Sequence, residues 1–322
     1  VQTCALPIYY IAIAESGSGH YTVDWGDGNV ENFAKGTVSS SHYYTPSAIS
    51  ASTEFTHSSG IMMRQVIVSV YPQTTASMTY ISLNAQHNKS GLQTYSPYWL
   101  DASVHGANIM TASFGGSNIN NSYLERATVG TISGSFTCAS MFLNCRTLQS
   151  VPYFDTSNVT NFTSMFSGCT LFNSCSLFLT GKGTDFSTMF GSCVNLRSIP
   201  LLNVQSGSTF TSMFSGCTNL ITIPKLNTSA GTTFTSMFSG CTKLQSIPQL
   251  NVSSGSSFNS MFSSCVNLIQ VPLLDLGNAT TAQSMFSACS SLLSIPTFNL
   301  AKLVTAASMF SGCSGLTKIP AL

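Results

Sequence analysis

The fold is decided by the stretch Met213-Phe214-Ser215-Gly216-Cys217-Thr218-Asn219-Leu220-Ile221-Thr222-Ile223-Pro224, whose pattern recurs every 24 residues without an insertion. The Met-Phe pair that opens it stands at eight places, namely Met141, Met165, Met189, Met213, Met237, Met261, Met285 and Met309. A Cys follows each Met after four residues, and a Leu or Phe follows that Cys after three. A unit this short cannot bury its apolar side alone, so the units are expected to stack into a solenoid.

Each unit is predicted to contain a short helix followed by a short strand. Phe210, Met213, Phe214 and Cys217 follow the i, i+3, i+4, i+7 spacing of one helix face. The segment 220–226 is rich in β-branched residues and predicts a strand. Its Pro donates no hydrogen bond to a ladder, so the Pro is expected at the start of the strand or at a bend. The predicted fold class is an α/β repeat solenoid with a 24-residue period.

The repeat resembles the BspA-type leucine-rich repeat of bacterial surface proteins. The run Met-Phe-Ser-Gly-Cys-Thr-x-Leu-x-x-Ile-Pro carries this resemblance over about 136–322. The segment Asp-Thr-Ser-Asn-Val-Thr-Asn at 155–161 is similar to the connecting segment of the mycoplasma-like branch of that family. Many members are adhesins or surface proteins, and similar repeats occur in tail proteins of aquatic phages. The resemblance implies an extracellular location, on a virion tail or a bacterial cell surface.

The composition excludes two kinds of partner. Only 7% of the residues are charged, and 11 Lys and Arg almost balance 10 Asp and Glu. Nucleic-acid-binding proteins carry a basic patch or stripe, so nucleic acid is not a predicted partner. No apolar run reaches the roughly 18 residues of a spanning helix, so membrane insertion is not predicted either.

Residues 9–75 are predicted to form a small all-β domain. The segment 21–25 alternates in hydropathy and leads into Gly26-Asp27-Gly28-Asn29, and Asp-Gly in this setting is a strong hairpin signal. The string Val-Asp-Trp-Gly-Asp-Gly, followed by His42-Tyr43-Tyr44 and a Val-x-Val strand, resembles the PKD domain. That resemblance implies an immunoglobulin-like sandwich that acts as a spacer or contact module.

Three further segments complete the predicted organisation. Residues 1–8, Val-Gln-Thr-Cys-Ala-Leu-Pro-Ile, resemble a translated sequencing adapter and are predicted to be an artefact rather than a natural first strand. Residues 76–135 are predicted to form a cap or linker with a degenerate repeat, since Leu124 lies one period before Leu148. Residues 136–322 hold about eight units and stop within a unit, which favours a C-terminally truncated chain.

Two patterns raise the question of a bound metal. One is the periodic set of cysteines, namely Cys145, Cys169, Cys193, Cys217, Cys241, Cys265, Cys289 and Cys313. Each unit supplies one Cys where a metal site needs a cluster, so buried free thiols are predicted. The other is Asp24, Asp27, Asn29 and Glu31, whose oxygens would suit calcium. The favoured role is local: Asp27 starts the turn and Asp24 accepts hydrogen bonds from nearby backbone N–H groups. No cofactor is predicted, and an ion at Asp24 and Asp27 stays an open alternative.

The sequence contains no recognisable catalytic set, and the chain is not predicted to be an enzyme. All five His precede the repeats, and the repeats hold three acids, Asp155, Asp185 and Asp275. A glycosidase needs two carboxylates about 5 to 9.5 Å apart, and these acids lie in separate units. A polysaccharide-degrading tail enzyme stays an alternative.

The position after the Pro of each unit is predicted to face outward, because its chemistry varies between apolar neighbours. It holds Tyr153, Leu177, Leu201, Lys225, Gln249, Leu273, Thr297 and Ala321, although Leu177 follows Ser176 because the second unit has Cys175-Ser176 where the others have Ile/Val-Pro. Solenoids bind through such repeated surface positions, so Tyr153, Leu201, Lys225 and Gln249 are predicted to contact a host-surface protein or glycan, or another virion subunit. The alternative is that this position only tolerates change. The predicted function is non-enzymatic surface adhesion or receptor recognition, in a phage tail or fibre or, alternatively, in a bacterial cell-surface adhesin.

Overall fold

The chain divides into two compact units. One consists of Val1–Thr137 with Met141–Phe154, and the other of Cys138–Ser140 with Asp155–Leu322. The computed structural model describes residues 2–6, 10–17, 20–34, 40–44, 50–56, 62–73, 78–83, 86–87, 94–95, 99–106, 109–116, 124–132 and 136–320. The first repeat thus belongs largely to the N-terminal unit.

The described part of Val1–Thr137 is built mainly from strands, with a single 3-10 turn at Ala51–Thr53. The strands are β1 (Gln2–Leu6), β2 (Tyr10–Gly17), β3 (Tyr21–Asp24), β4 (Val30–Phe33), β5 (Ser40–Tyr43), β6 (Glu54–Thr56), β7 (Met62–Pro72), β8 (Met78–Ser82), β9 (Gln86–His87), β10 (Thr94–Tyr95), β11 (Trp99–Gly106), β12 (Thr111–Ser113) and β13 (Arg126–Ile132). A seven-stranded sheet has the order β13-β11-β1-β7-β3-β4, with β6 also paired to β7. The strands β12-β8-β2-β5 form a second sheet, and β9 pairs with β10.

The predicted Asp-Gly hairpin is confirmed. Strands β3 and β4 pair antiparallel, with Val23 opposite Glu31. The Trp25 N–H donates to Asn29 O at 3.0 Å and closes the connection. Trp25 itself is fully buried, as expected for a core residue.

Residues 2–6, which the sequence predicted to be part of an adapter artefact, lie in the seven-stranded sheet. They form β1, which pairs antiparallel with both β7 and β11. The origin of this segment stays a prediction. Val1 and 7–9 lie outside the described residues.

The helices predicted within the repeats do not form in the described part of the solenoid, so the α/β class is wrong for it. Residues 211–216 make consecutive turns instead. The Met213 N–H donates to Phe210 O at 3.2 Å within the unit, whereas the Phe214 N–H donates to Met237 O at 2.9 Å in the next. The donors that would close an α-helix are therefore used between units.

The physical reason is a left-handed residue within each turn. Ser212 has a φ of 55°, and an α-helix cannot continue through that conformation. The same position is left-handed in every unit, at Ser140, Ser164, Thr188, Ser212, Ser236, Ser260, Ser284 and Ser308. Successive three-residue turns place apolar side chains on one side much as a helix does, which is why the spacing indicated a helix.

The strand predicted over 220–226 is also wrong in the part of the array that the structure describes. Parallel bridges join the units elsewhere, through Asn161, Asp185, Thr209, Thr233, Ser257, Thr281 and Thr305. Within 220–226, the Ile221 N–H donates to Arg197 O at 3.0 Å. Pro224 has no N–H to extend this pairing, so the ladder runs along a Pro-free segment instead.

The apolar columns predicted from the period are buried, which confirms the predicted core register. Their members in the fourth unit are Met213, Phe214, Cys217, Leu220, Ile223 and Leu226, of which none is more than 4% exposed. The same columns are buried in the units on either side. In the last unit Phe310 is half-buried and Ile319 is exposed.

Two columns of stacked phenylalanine rings run through the solenoid. Phe214 stacks on Phe190 with ring centroids 5.7 Å apart and on Phe238 at 5.6 Å. Phe210 stacks on Phe186 at 5.7 Å and on Phe234 at 5.5 Å. The ring planes of these four pairs lie within 9° of parallel. The rings therefore fill the interior with contacts between identical residues of successive units.

A glycine column accommodates the first of these phenylalanine columns. A Cβ on Gly231 would lie 2.5 Å from Phe234 Cζ and 2.9 Å from Phe210 Cε2, closer than carbon atoms approach in proteins. In the unit that has Ala282 in place of the phenylalanine, the glycine position holds Ala279. The residue size in one column thus compensates for the residue size in the other, as close packing requires.

Replacing Phe214 by Ala is expected to lower the free energy of unfolding by about 3–5 kcal/mol, because the buried ring leaves a cavity between its two stacked neighbours. Urea denaturation followed by circular dichroism measures this loss. Leu201→Ala, at a position that is 62% exposed, is the control and should change stability by under about 0.5 kcal/mol. A loss for Phe214→Ala no larger than that of the control would contradict the packing.

Replacing Gly231 by Ala is expected to cost about 1–3 kcal/mol, because the new methyl group overpacks the ring column. The same change in a Phe234→Ala background should cost much less, since Ala279 and Ala282 already occur together in this chain. A double-mutant cycle from urea midpoints gives the coupling between the two positions. Additive effects would show that Phe234 does not set the need for glycine.

Candidate ligand-binding face

The position after the Pro faces solvent, as the sequence predicted. Leu177, Leu201 and Leu273 are 56%, 62% and 57% exposed, and Lys225, Gln249 and Thr297 are exposed as well. The flanking residues of the same segments, such as Ile223 and Leu226, point into the core. The prediction that these residues bind a ligand is not tested by their exposure.

Tyr153 has the same exposure but a different place in the fold. Tyr153 is 56% exposed and belongs to the first compact unit. The binding surface considered for the repeats is therefore confined to the second compact unit. Ala321, the last member of the column, lies outside the described residues.

A second exposed column lies two residues further along, and the sequence reasoning missed it. It holds Asp155, Leu179, Asn203, Asn227, Asn251, Asp275 and Asn299. The Ser253 N–H donates to Asn251 Oδ1 at 3.2 Å, and the Gly277 N–H donates to Asp275 Oδ1 at 3.1 Å. These are Asx turns, in which the side-chain oxygen fixes the backbone two residues on. The signal was visible as Asn or Asp at one position of the period.

The two columns together form the outer face, and each unit contributes one rung of two residues. The rungs are 177/179, 201/203, 225/227, 249/251, 273/275 and 297/299. Within each rung the intervening residue, for example Leu202 or Leu250, is buried. This alternation keeps both rung residues on the solvent side.

The last four rungs enclose a groove of about 870 Å³. Buried Leu226, Leu250, Val252 and Leu274 contribute to its lining. Its rim is polar except for Leu273 and consists of Lys225, Asn227, Gln249, Asn251, Leu273, Asp275, Thr297 and Asn299. One cation and one anion leave this groove without net charge.

The first two rungs have a different chemistry. Exposed Leu177, Leu179 and Leu201 line a shallower depression of about 350 Å³, together with Lys182 and Asn203. The outer face is therefore largely apolar at 177–203 and largely polar at 225–299.

Gln249, a predicted contact residue, also has a structural role. Its Nε2 donates to Leu273 O of the next unit at 2.6 Å. A hydrogen bond of this kind contributes about 0.5–1.5 kcal/mol to stability. Part of the Gln249 side chain is therefore engaged in holding successive rungs together.

The Asp-Gly hairpin places its acidic residues in a compact aromatic cluster. Asp27 Oδ2 lies 2.8 Å from His42 Nε2, and the His42 ring stacks on Trp25 at 5.0 Å. Burial raises the pKa of Asp27, but the hydrogen bonds from His42 and from the Asn29 N–H outweigh it and hold the pKa below its ordinary value. Asp24 Oδ1 accepts the Gly26 N–H at 2.9 Å. The predicted turn roles of Asp24 and Asp27 are thus confirmed.

The periodic cysteines form a buried column of free thiols. Seven of the eight are buried, and Cys313 is half-buried. Each thiol from Cys193 onward donates to a phenylalanine carbonyl of the preceding unit, as Cys217 Sγ does to Phe190 O at 2.9 Å. Burial raises the pKa of Cys217 and of Cys289 to about 12. These thiols are therefore unreactive hydrogen-bond donors between units.

The array brings no acidic pair together on the outer face. Asp155 and Asp275 share the second column but lie five units apart, and Asp185 lies on the bridge ladder. Among the described residues, no group of three or more His, Cys, Asp or Glu is placed to hold a metal ion. The described part of the chain also contains no helix with the length and hydropathy of a membrane span.

The geometry defines a solenoid of the leucine-rich-repeat class, and sequence comparison gives its family. The family described as "Mycoplasma protein of unknown function, DUF285" matches residues 110–223, 135–247 and 208–320. These overlapping matches cover well over half of the chain, and the chain therefore belongs to this family of BspA-like repeat proteins. BspA-like repeats are typical of surface-exposed proteins. No curated protein matches the sequence.

Comparison with solved structures finds two similar chains. A leucine-rich repeat protein from Eubacterium ventriosum is 16% identical, with a TM-score of 0.43. The match covers 68% of this chain and 66% of that protein. A TLR13–ssRNA13 complex is 15% identical, with a TM-score of 0.29 over 67% of this chain and 32% of the other.

Raising the pH is expected to destabilise the solenoid between about pH 8.5 and 12. The unfolded chain releases thiol protons above a pKa of about 8.5, whereas folded Cys217 and Cys289 keep theirs until the pH nears about 12. The unfolded state then binds fewer protons, so the free energy of unfolding falls by up to about 1.4 kcal/mol per pH unit for each such thiol. Below about pH 8.5 this contribution is fully present.

Urea midpoints measured on both sides of about pH 9 test this expectation. A Cys217→Ala/Cys241→Ala variant should show a shallower pH dependence than the natural chain. Alkylation of the denatured protein followed by intact-mass analysis checks that the periodic thiols are reduced. Equal pH dependence in the two proteins would show that the thiols are not the titrating groups.

Proposed function

We propose that this chain is a non-enzymatic surface protein that recognises its target through the outer face of the second compact unit, within Asp155–Leu322. The observation that carries the proposal is the exposure of Leu177, Leu201 and Leu273, each more than half exposed on one side of a regular array. Apolar side chains gathered on a protein surface mark interaction sites. Repeated positions on a stacked array offer an extended binding surface.

The proposed location is a virion tail, where the chain acts as a tail or fibre-associated component. The Trp-Gly-Asp-Gly hairpin and the strands described within 2–132 support a PKD-like domain that spaces or docks the repeats. The second candidate is a bacterial cell-surface adhesin, and membership of the BspA-like family favours it. Both candidates use the outer face for recognition.

The proposal that the protein is not an enzyme has its own support. The outer face has two charged side chains along the last four rungs, Lys225 and Asp275. They belong to different columns and units two apart, and they offer no second carboxylate for acid–base hydrolysis. The groove is suited to binding, because its other polar side chains are amides and one hydroxyl.

Replacing Leu201, Lys225 and Gln249 together by Ser is expected to abolish adsorption of the labelled full chain to a panel of intact bacterial cells. The two surface changes should cost under about 0.5 kcal/mol each, and the loss of the Gln249 bond about 1 kcal/mol more. The circular dichroism spectrum should therefore stay that of the natural chain. Leu201→Ser/Lys225→Ser, which keeps the Gln249 bond, should lose most of the adsorption too.

Ile221→Ser/Lys243→Ser/Gln245→Ser is the matched control, which replaces one branched aliphatic residue, one Lys and one Gln on exposed positions outside the outer face. It should adsorb as the natural chain does. Adsorption of the Leu201 triple variant at the level of this control would remove the outer face as the binding site.

A further inference from the structure

We infer that the polar half of the outer face, rungs 225/227 to 297/299, binds a segment of an uncharged polysaccharide, with about one pyranose residue at each rung. This inference rests on the proposed recognition function and names the chemistry of its target. It is carried by the amide groups of the second column, the spacing of the rungs and the charge of the groove.

The asparagine amides are held in place with their donors unused. Asn227 Oδ1 accepts the Ser229 N–H at 3.3 Å and the Ser229 hydroxyl at 2.8 Å. Asn251 Oδ1 accepts the Ser253 N–H at 3.2 Å and the Ser253 hydroxyl at 2.8 Å. In the array as described, 136–320, the Nδ2 groups of Asn227 and Asn251 donate to no other residue. These oriented donors would bind hydroxyl or ether oxygens with little loss of side-chain entropy.

The rung spacing does not suit an extended peptide. Parallel bridges such as Thr209–Thr233 imply a backbone spacing of about 4.8 Å, and the stacked rings are 5.4–5.7 Å apart. A peptide strand laid along the rungs presents equivalent side chains about 6.6 Å apart, twice its rise per residue. It would lose register within two or three rungs.

The groove has no net charge, which suits an uncharged ligand. Lys225 and Asp275 cancel, and the other rim residues are neutral. A polyanion such as an acidic polysaccharide or nucleic acid needs a row of cations. This rim contains a single cationic side chain, Lys225. Leu273, with 57% of its surface exposed, supplies an apolar contact for the C–H face of a sugar ring.

The chain itself indicates the variant that tests the amide donors. Asp occupies the second column at Asp155 and Asp275, and Asp155 Oδ1 accepts the Ser157 N–H at 2.8 Å. Asn→Asp at 227 and 251 therefore keeps the Asx turn and removes the donating NH₂ group. Asn203→Asp makes the same change in the apolar half of the face and is the matched control.

The test uses affinity electrophoresis of the full chain in gels that contain dextran, mannan, laminarin or hydroxyethylcellulose, with alginate and gelatin as charged and protein probes. The natural chain should be retarded by at least one neutral polysaccharide. Asn227→Asp/Asn251→Asp should weaken that binding about tenfold, the effect of two lost neutral hydrogen bonds, while Asn203→Asp leaves it unchanged. Retardation by alginate or gelatin alone, or equal binding of the double variant, would overturn the inference.

Adsorption to cells separates failure of this inference from failure of the proposed function. Periodate oxidation of the cell glycans should abolish adsorption of the natural chain, and protease treatment should not. Adsorption that survives periodate but not protease would leave surface recognition standing and refute the polysaccharide. Absence of both cell adsorption and polysaccharide binding would refute both.

Discussion

In the turn segment of a unit, which is 210–216 in the fourth unit, every second backbone N–H donates to the next unit. The rest of the solenoid depends on this alternation. The donors in the fourth unit are Phe210, Ser212, Phe214 and Gly216, which reach Thr233, Thr235, Met237 and Ser239 at 2.7–3.0 Å. The N–H groups between them, such as those of Met213 and Ser215, close turns within the unit. One inserted residue would exchange the two sets of donors and leave buried groups unpaired, a loss of about 1–3 kcal/mol for each. This constraint explains why eight units keep one length.

A fixed period brings each residue against its counterpart in the next unit, so the interior is built from columns rather than from single contacts. Columns must compensate for one another in volume, and the glycine column shows how. Val159 stands in the glycine column, and the phenylalanine position of the unit before it holds the smaller Cys138. Leu303 stands in the same column, and its neighbouring phenylalanine positions hold Ala282 and Ala306. The thiols add a hydrogen bond to the same columns, which a methyl group of similar size could not supply.

The buried columns could be read from the sequence, whereas the backbone that carries them could not. Met213, Phe214 and Cys217 have a spacing that repeated turns and a helix share, so their burial was predictable and their conformation was not. The left-handed φ of Ser212 decides between the two, and Ser carries no signal for it as Gly would. The exposed position of Leu201 followed from variation between units. The Asx-turn role of Asn251 was visible in the period, because that position holds Asn or Asp in every described unit except the one with Leu179.

Alternation along 201–205 separates recognition from stability. Leu202 and Val204 are buried and hold the array together, whereas Leu201 and Asn203 face solvent and contribute little to the core. Each unit can thus change two outward residues independently, and the face has become apolar at one end and amide-rich at the other. With 7% charged residues in the chain, long-range electrostatic attraction cannot speed association as it does in highly charged complexes. Affinity for any target must then come from contact area and hydrogen bonds summed over several rungs, which is what a rigid array of equivalent positions provides.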